Sequence, residues 1–447
     1  MRAKVTYSIP LICLVVNSNL DLWVEEAVDC FETDGSLSGQ NISKFNKLLQ
    51  LIVEEWSIDN DLFRVSDKTI SRKAREVLRK ARRYKNPVQY FHNSKGDVQK
   101  SLHSEPHLKY TIVFPLNIKF TAMGDRPDSF TIQEENLIRI ANSTWKTQYW
   151  PSIKNKRNIK RVLEKSPNSI NSNNFSYWKY QVEAVDQRYA MNRISELVEL
   201  LCAKINFSLH QGRAPDFHAS TGPWPYRWSQ LRPPFIYFVF KEGIHLGYYK
   251  REKYNSYFYS TDPEPRKTVR VSSNKQERYV FGMEYLPDIP RELDDVDQVL
   301  VDGLYLYQSG IAESDQQDAF LNYWRGIENM TLTNEQERMT EIPSRTASLF
   351  EPENKEIFKY RLQRVRLIRN NLVHEGRQTK VEDDDLKLLK TVLEALIMLF
   401  VEFRQKWDIT DFEFVLNTGR NDETKLKEMK NSRHREIYLI QQMLNDK

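Results

Sequence analysis

The residues most suited to chemistry lie together at Arg369-Asn370-Asn371-Leu372-Val373-His374. A neutral imidazole, with an ordinary pKa of about 6.5, can take the proton of a ribose 2′-hydroxyl. A guanidinium can clamp the non-bridging oxygens of the adjacent phosphate as the new oxyanion attacks phosphorus. Asn370 can hold either the imidazole or the phosphate. These parts would perform phosphoryl transfer within RNA without a metal, and no clustered set of carboxylates flanks His374 in the sequence.

The elements that must position these groups are helical. At about 100 degrees per residue, Phe358, Leu362, Val365, Leu372 and Val373 make one apolar stripe, and Arg369 falls in its middle. A guanidinium cannot shed its charge, so it needs a partner or a cleft. Glu328 on the preceding helix could supply the partner, which would make the arginine structural. A histidine beside a helix-ending glycine, here Gly376, is often only a C-terminal cap. His374 falls about 140 degrees round the helix from Arg369, so one ideal helix does not bring both to one phosphate. A distorted last turn would do so, and so would two copies of the motif meeting across a two-fold axis. The spacing favours the second.

Around this helix, predicted over 354–374, stand a helix over 314–330 and a third beginning at acidic 382–385. The first carries Phe320, Trp324, Ile327 and Met330 on one face. The third carries Leu389, Val392, Leu393, Leu396, Phe400 and Phe403. A polar connection spans 331–343, with a short helix near Ser344. Helices joined by short polar connections predict an antiparallel bundle.

A chain of 447 residues calls for two or three domains. The expected fold class is α+β: a mixed α/β N-terminal domain over 1–165, a long helix plus aromatic-rich β region over 175–310, and an all-α bundle over 311–447. Before 310 the patterns predict a β-like run at 5–16 and a helix carrying Phe45, Leu48, Leu49, Ile52 and Trp56. A basic helix follows at 68–84 and a turn at Asn93-Ser94-Lys95-Gly96. One or two strands are expected within 108–122, where Pro115 marks an edge or bend. An Asn- and Ser-rich linker over 166–174 then leads to a long helix over 177–210. Strands are expected at 235–240 and 244–249 about Lys241-Glu242-Gly243, and at 254–259, 269–271 and 279–285.

The formal net charge is only +5, but residues 71–85 hold eight basic residues against one acid. Arg72, Arg75, Arg79 and Arg83 in this run are candidate RNA-binding residues, and Lys156, Arg157, Lys160 and Arg161 make a smaller basic run. Either run is also compatible with a solvated helix face. Asp186, Arg188, Arg193 and Glu196 are expected to form surface ion pairs on the long middle helix. Cys13, Cys30 and Cys202 lack metal-site spacing and fit buried thiols in a reducing compartment. His92, His103 and His107 lack the tight spacing of a metal cluster, and His210 and His218 flank a loop. No metal or cofactor is expected. The apolar stretch at 9–16 is too short to cross a membrane, so a cytoplasmic protein with no membrane partner is expected.

Residues 367–376, reading LIRNNLVHEG, resemble the Arg-Asn-x-x-x-His motif of HEPN domains (higher eukaryotes and prokaryotes nucleotide-binding), above all the Apea-like group of prokaryotic defence proteins. The preceding FLNYWRGIENM resembles that group's first long helix, with Trp324 and Glu328 in matching places. The likeness covers about residues 311–410. It implies a homodimeric helical ribonuclease in which Arg369 meets the phosphate, Asn370 supports it, His374 performs acid–base work and Glu328 orients Arg369. It also implies a toxin-like or abortive-infection antiviral effector, with RNA as substrate and a phage-derived or protein trigger. The alternative is a nucleic-acid-binding sensor or assembly protein that uses the helical domain only for dimerisation. Neither a nucleotidyltransferase motif nor a Walker A sequence accompanies the motif.

Overall fold

In a computed structural model the chain is described over residues 19–37, 39–121, 127–154, 156–157, 159–160, 175–212, 230–249, 268–284, 286, 288–313, 315–332, 339–350, 352–374, 379–418 and scattered positions from 426 to 441. A mixed α and β N-terminal region precedes a largely helical C-terminal region. Two compact units emerge, one from Met1–Tyr110 with Val182–Arg193 and Lys241–Gly243, the other from Thr111–Gln181, Ile194–Phe240 and Ile244–Lys447.

The first unit is mainly helical: α1 (Leu20–Asp29), α2 (Ile42–Trp56), α3 (Asn60–Phe63), α4 (Asp67–Ala81) and α5 (Pro87–Ser104). Phe45, Leu48, Ile52 and Trp56 bury one face of α2, as their spacing predicts, and Leu49 is partly buried against the same core. The basic helix expected over 68–84 is α4. It buries Ile70, Ala74, Val77, Leu78 and Ala81 and leaves its charges outside. The turn expected at Asn93-Ser94-Lys95-Gly96 does not form, because those residues lie inside α5. Phe91, Ser94, Val98 and Leu102 bury one face there, and the Ser94 hydroxyl bonds back to the Tyr90 carbonyl at 2.8 Å. Burial of that face outweighs local turn preference.

The second unit carries most of a six-stranded sheet, in the order β3-β4-β5-β1-β6-β7. The strands are β1 (Leu108–Leu116), β3 (Ser129–Ile132), β4 (Glu135–Ile140), β5 (Ser176–Ala184), β6 (Tyr237–Lys241) and β7 (Ile244–Tyr249). Pro115 sits in β1, an interior strand rather than an edge. Nor does the strand bend at Pro115; the bend comes two residues later, at Asn117. After Asn117 the chain enters β2 (Ile118–Phe120), which leaves the sheet to pair in parallel with β8 (Val269–Val271). The β6–β7 hairpin turns on Glu242 and Gly243, both at positive φ (48° and 80°), which glycine favours at the second place.

Three further expectations are corrected. Residues 177–184 are not helical but form most of β5, where Tyr177, Trp178, Tyr180 and Ala184 are buried. Residues 279–284 are not a strand, since they belong to the helix Ser273–Glu284, and 285 lies outside the described residues. Asp186 and Arg193 do not lie on the exposed surface of the long helix: Asp186 precedes it and is half-buried, and Arg193 is turned into the interior. In the first unit, Asp186 accepts hydrogen bonds from the Ser66 amide and hydroxyl, the Thr69 hydroxyl and the Tyr189 amide. Burial pushes its pKa up, but those hydrogen bonds prevail and hold it below the usual carboxylate value. Arg193 is buried. Runs 5–16, 166–174 and 254–259 lie outside the described residues.

In chain order the helices of the second unit begin with α6 (Asn142–Thr144), a π-helical turn (Trp145–Tyr149) and α7 (Trp150–Lys154). The long α8 (Gln187–His210) enters the unit at Ile194, and α9 (Ser273–Glu284) and α10 (Asp295–Ala312) follow. The bundle region then comprises α11 (Gln316–Thr331), α12 (Ile342–Ala347), α13 (Pro352–His374), α14 (Asp383–Phe403) and α15 (Ile409–Thr418). Helical structure therefore begins well before 311. Backbones approach closely here. A Cβ on Gly310 of α10 would lie 2.4 Å from the Tyr323 ring of α11, and one on Gly326 would lie 2.8 Å from Leu393 of α14. Among the described residues no helix is long and apolar enough to cross a membrane.

Candidate functional site

Helix α11 starts at Asp315, whose carboxylate accepts the amides of Gln317 and Asp318 and satisfies two otherwise unpaired donors of the first turn. One face then buries Phe320, Trp324 and Ile327. Glu328 lies one turn beyond Trp324, and the indole Nε1 donates to its Oε1 at 2.5 Å. That hydrogen bond aims the carboxylate at α13. There Nη2 of Arg369 lies 3.3 Å from the same Oε1. The expected Glu328–Arg369 pairing is thus present. The two side chains are only 17% and 13% exposed, so water screens them weakly.

Leu362 and Val365 on the same side of α13 are fully buried, which explains why Arg369 is drawn inward. The stripe ends sooner than the helical wheel predicts. Phe358 and Leu372 are only half-buried, and Val373 is 48% exposed. Phe358 stacks on Phe350, with ring centroids 3.8 Å apart. Asn370 accepts a long hydrogen bond from Nη1 of Arg369 at 3.5 Å. The structure therefore brings Trp324, Glu328, Arg369 and Asn370 together. His374 is the last residue of α13, and its side chain, like Glu375 and Gly376, lies outside the description. Arg364 of α13 holds Asp385 through both carboxylate oxygens at 3.0 Å, while Asp385 completes the capping box of α14.

A second polar group escaped the sequence reading. Lys390 and Glu394 form an ion pair within α14, and both are almost fully buried. The Tyr307 hydroxyl donates to Glu394 at 2.7 Å, and Lys390 donates to the His210 carbonyl at 3.0 Å. Burial and then the Glu394 charge push the Tyr307 pKa well above its ordinary value. Two charges four residues apart inside an apolar run were the available signal. These groups join helices to one another, and nothing about them points to a substrate.

The other candidates fall elsewhere. Arg72, Arg75, Arg79 and Arg83 are exposed in the first unit. His92 pairs with Asp21 at 2.8 Å, and His103 meets the Phe63 ring edge-on at 5.5 Å. Among the described residues no three His, Cys, Asp or Glu side chains gather as metal ligands. His245 of β7 is buried, and burial followed by the Lys156 charge lowers its pKa to about 4. It stays neutral but out of reach of solvent. Cys30 and Cys202 are buried thiols. Comparisons with protein-family models, curated proteins and solved structures find no match to this chain.

Proposed function

We propose that α11 and α13 carry the active centre of a metal-independent endoribonuclease of the HEPN type, acting as a toxin-like or abortive-infection effector. The observation that carries it is Arg369, held between Glu328 and Asn370 on the helix that ends at His374. A guanidinium braced in this way keeps its orientation and needs little reorganisation when it meets a phosphate. In the step itself, His374 takes the proton of a ribose 2′-hydroxyl. The oxygen bonds to phosphorus, the bond from phosphorus to the 5′-oxygen breaks, and the leaving oxygen is protonated. The products are a 2′,3′-cyclic phosphate and a 5′-hydroxyl.

The separation of Arg369 and His374 by about 140 degrees on an ideal helix favours a homodimer that pools two motifs. Leu362 and Val365 are buried within the chain, so a partner would have to meet another side of α13. Ile357, Tyr360 and Leu367, which are 62%, 73% and 57% exposed, occupy such a side, and His374 shares it by register.

Total RNA incubated with the full chain in excess EDTA should be cut, leaving cyclic phosphate ends. His374→Ala should lower the rate by about 10²–10⁴-fold with its circular dichroism unchanged. Cleavage that appears only with magnesium, or only 3′-hydroxyl and 5′-phosphate ends, would sink the proposal. One observation favours a second reading, a non-catalytic binding or assembly protein: Glu328 and Arg369 already satisfy each other as a structural ion pair would. RNA cleavage by the wild type that persists at full rate in His374→Ala would remove the catalytic role.

A further inference from the structure

We propose that the exposed face of α4 and the turn that follows it bind single-stranded nucleic acid, with arginines on the phosphates and Tyr84 stacked on a base. This surface lies in the first unit and does not depend on the catalytic proposal. Lys68, Arg72, Arg75 and Arg79 fall within about 60 degrees of one another around the helix, one per turn of about 5.4 Å. All four are exposed, as is Arg83 beyond the helix end.

An ordinary solvated helix face mixes its signs and pairs them at i,i+4. This one does not. Glu76 is its one acid between residues 71 and 85, and Arg72, Arg75, Arg79 and Arg83 make no ion pair among the described residues. The base that is paired, Lys73, meets Glu105 at 2.5 Å and Ser101 at 3.0 Å. Asp34 on a nearby turn accepts from the Ser36 amide and lies within the field of Arg82. Two of the arginines are also held in place. The Arg75 guanidinium stands 5.7 Å above the Phe45 ring, and the Arg79 stem rests over Gly35, its Cγ 3.6 Å from where a Cβ would stand. Side chains packed on apolar surface lose less freedom when an anion arrives.

The aromatic pair decides which polyanion fits. The Arg83 and Tyr84 amides bond to the Lys80 and Ala81 carbonyls, so the turn continues directly from the helix. Tyr84 stacks on Tyr90, with centroids 4.0 Å apart and planes 18° apart, yet it remains 51% exposed between Arg83 and Lys85. A supported ring flanked by cations is a stacking platform for a base. Bases in a duplex are already stacked and paired, so the platform serves an unpaired strand.

The test is fluorescence anisotropy of the full chain with labelled single-stranded DNA, which lacks the 2′-hydroxyl and resists the proposed cleavage, beside its duplex and anionic phospholipid vesicles. We expect the single strand to bind at least about tenfold more tightly than the duplex, with affinity falling as salt rises at about −0.7 log units per phosphate contacted. The double variant R72E/R79E should cost tenfold or more and reduce that slope, and Arg72→Gln with Arg79→Gln should act in the same direction. Tyr84→Ala should weaken the single strand about fivefold or more at unchanged slope, and Tyr84→Phe should retain binding. Equal binding of single strand and duplex, indifference to the arginine variants, or a preference for vesicles untouched by Tyr84→Ala would each overturn the proposal. His374→Ala binding the single strand normally while failing to cut RNA would separate this surface from the catalytic one.

Discussion

Helices α13 and α14 follow one another in the chain and are 23 and 21 residues long, yet they treat charge in opposite ways. In α14 most residues are buried, and the three charged side chains among them are consumed within the fold, Asp385 by Arg364 of α13. Lys390 and Glu394 pair with each other and anchor Tyr307 and the end of α8. In α13 only Leu362 and Val365 are buried among the described residues, and Arg369 keeps part of its surface open beside Glu328. A charge buried on all sides holds structure. A charge braced on one side and reachable from the other can also meet a ligand. The difference separates a stabilising helix from the one that ends in the candidate chemistry.

Removing one partner from the α14 pair should have the largest effect. Glu394→Ala leaves a buried ammonium without its counter-charge and a buried phenol without its acceptor, and should cost about 3–5 kcal/mol, read from the denaturant midpoint. Replacing both charges, as in Lys390→Met with Glu394→Leu, should recover much of that loss. A single variant within about 1 kcal/mol of wild type would show that α14 does not rely on its pair.

Glu328→Gln comes next. It preserves an acceptor for Trp324 but removes the charge facing Arg369, so a cost of about 1–2 kcal/mol is expected. If Arg369 needs that brace for catalysis, kcat for RNA should fall at least about tenfold while KM changes little. An unchanged kcat would reduce Glu328 to a structural partner and narrow the contrast between the two helices.

Leu367→Glu should have the smallest effect on the folded chain, within about 0.5 kcal/mol, because Leu367 is 57% exposed. In the proposed dimer it would place charges at the contact. Light scattering over a dilution series should then show fewer dimers and a parallel loss of cleavage. A dimer that survives the change intact would put the contact elsewhere.

The sequence alone determined the helices that carry the candidate site. Residues such as Phe320, Trp324 and Ile327, or Leu362 and Val365, recur at a period set by local backbone geometry, and a capping residue such as Asp315 acts on its own first turn. The pairing of Arg369 with Glu328 was legible for a related reason: a permanent charge in an apolar stripe must find a partner, and an acid stood on the neighbouring helix. Tertiary structure decided what local preference leaves open. Asn93-Ser94-Lys95-Gly96 stayed helical because Phe91 and Val98 had a core to enter. Residues 177–184 became β5 because β4 offered the hydrogen bonds of an adjacent strand. The role of Asp186 depended on Ser66 and Thr69, more than a hundred residues away. The buried Lys390–Glu394 pair finds its remaining hydrogen-bond partners only because Tyr307 and the end of α8 arrive to meet it. Such pairings rest on the free energy of desolvation and contact between distant segments, which no periodicity within one segment encodes.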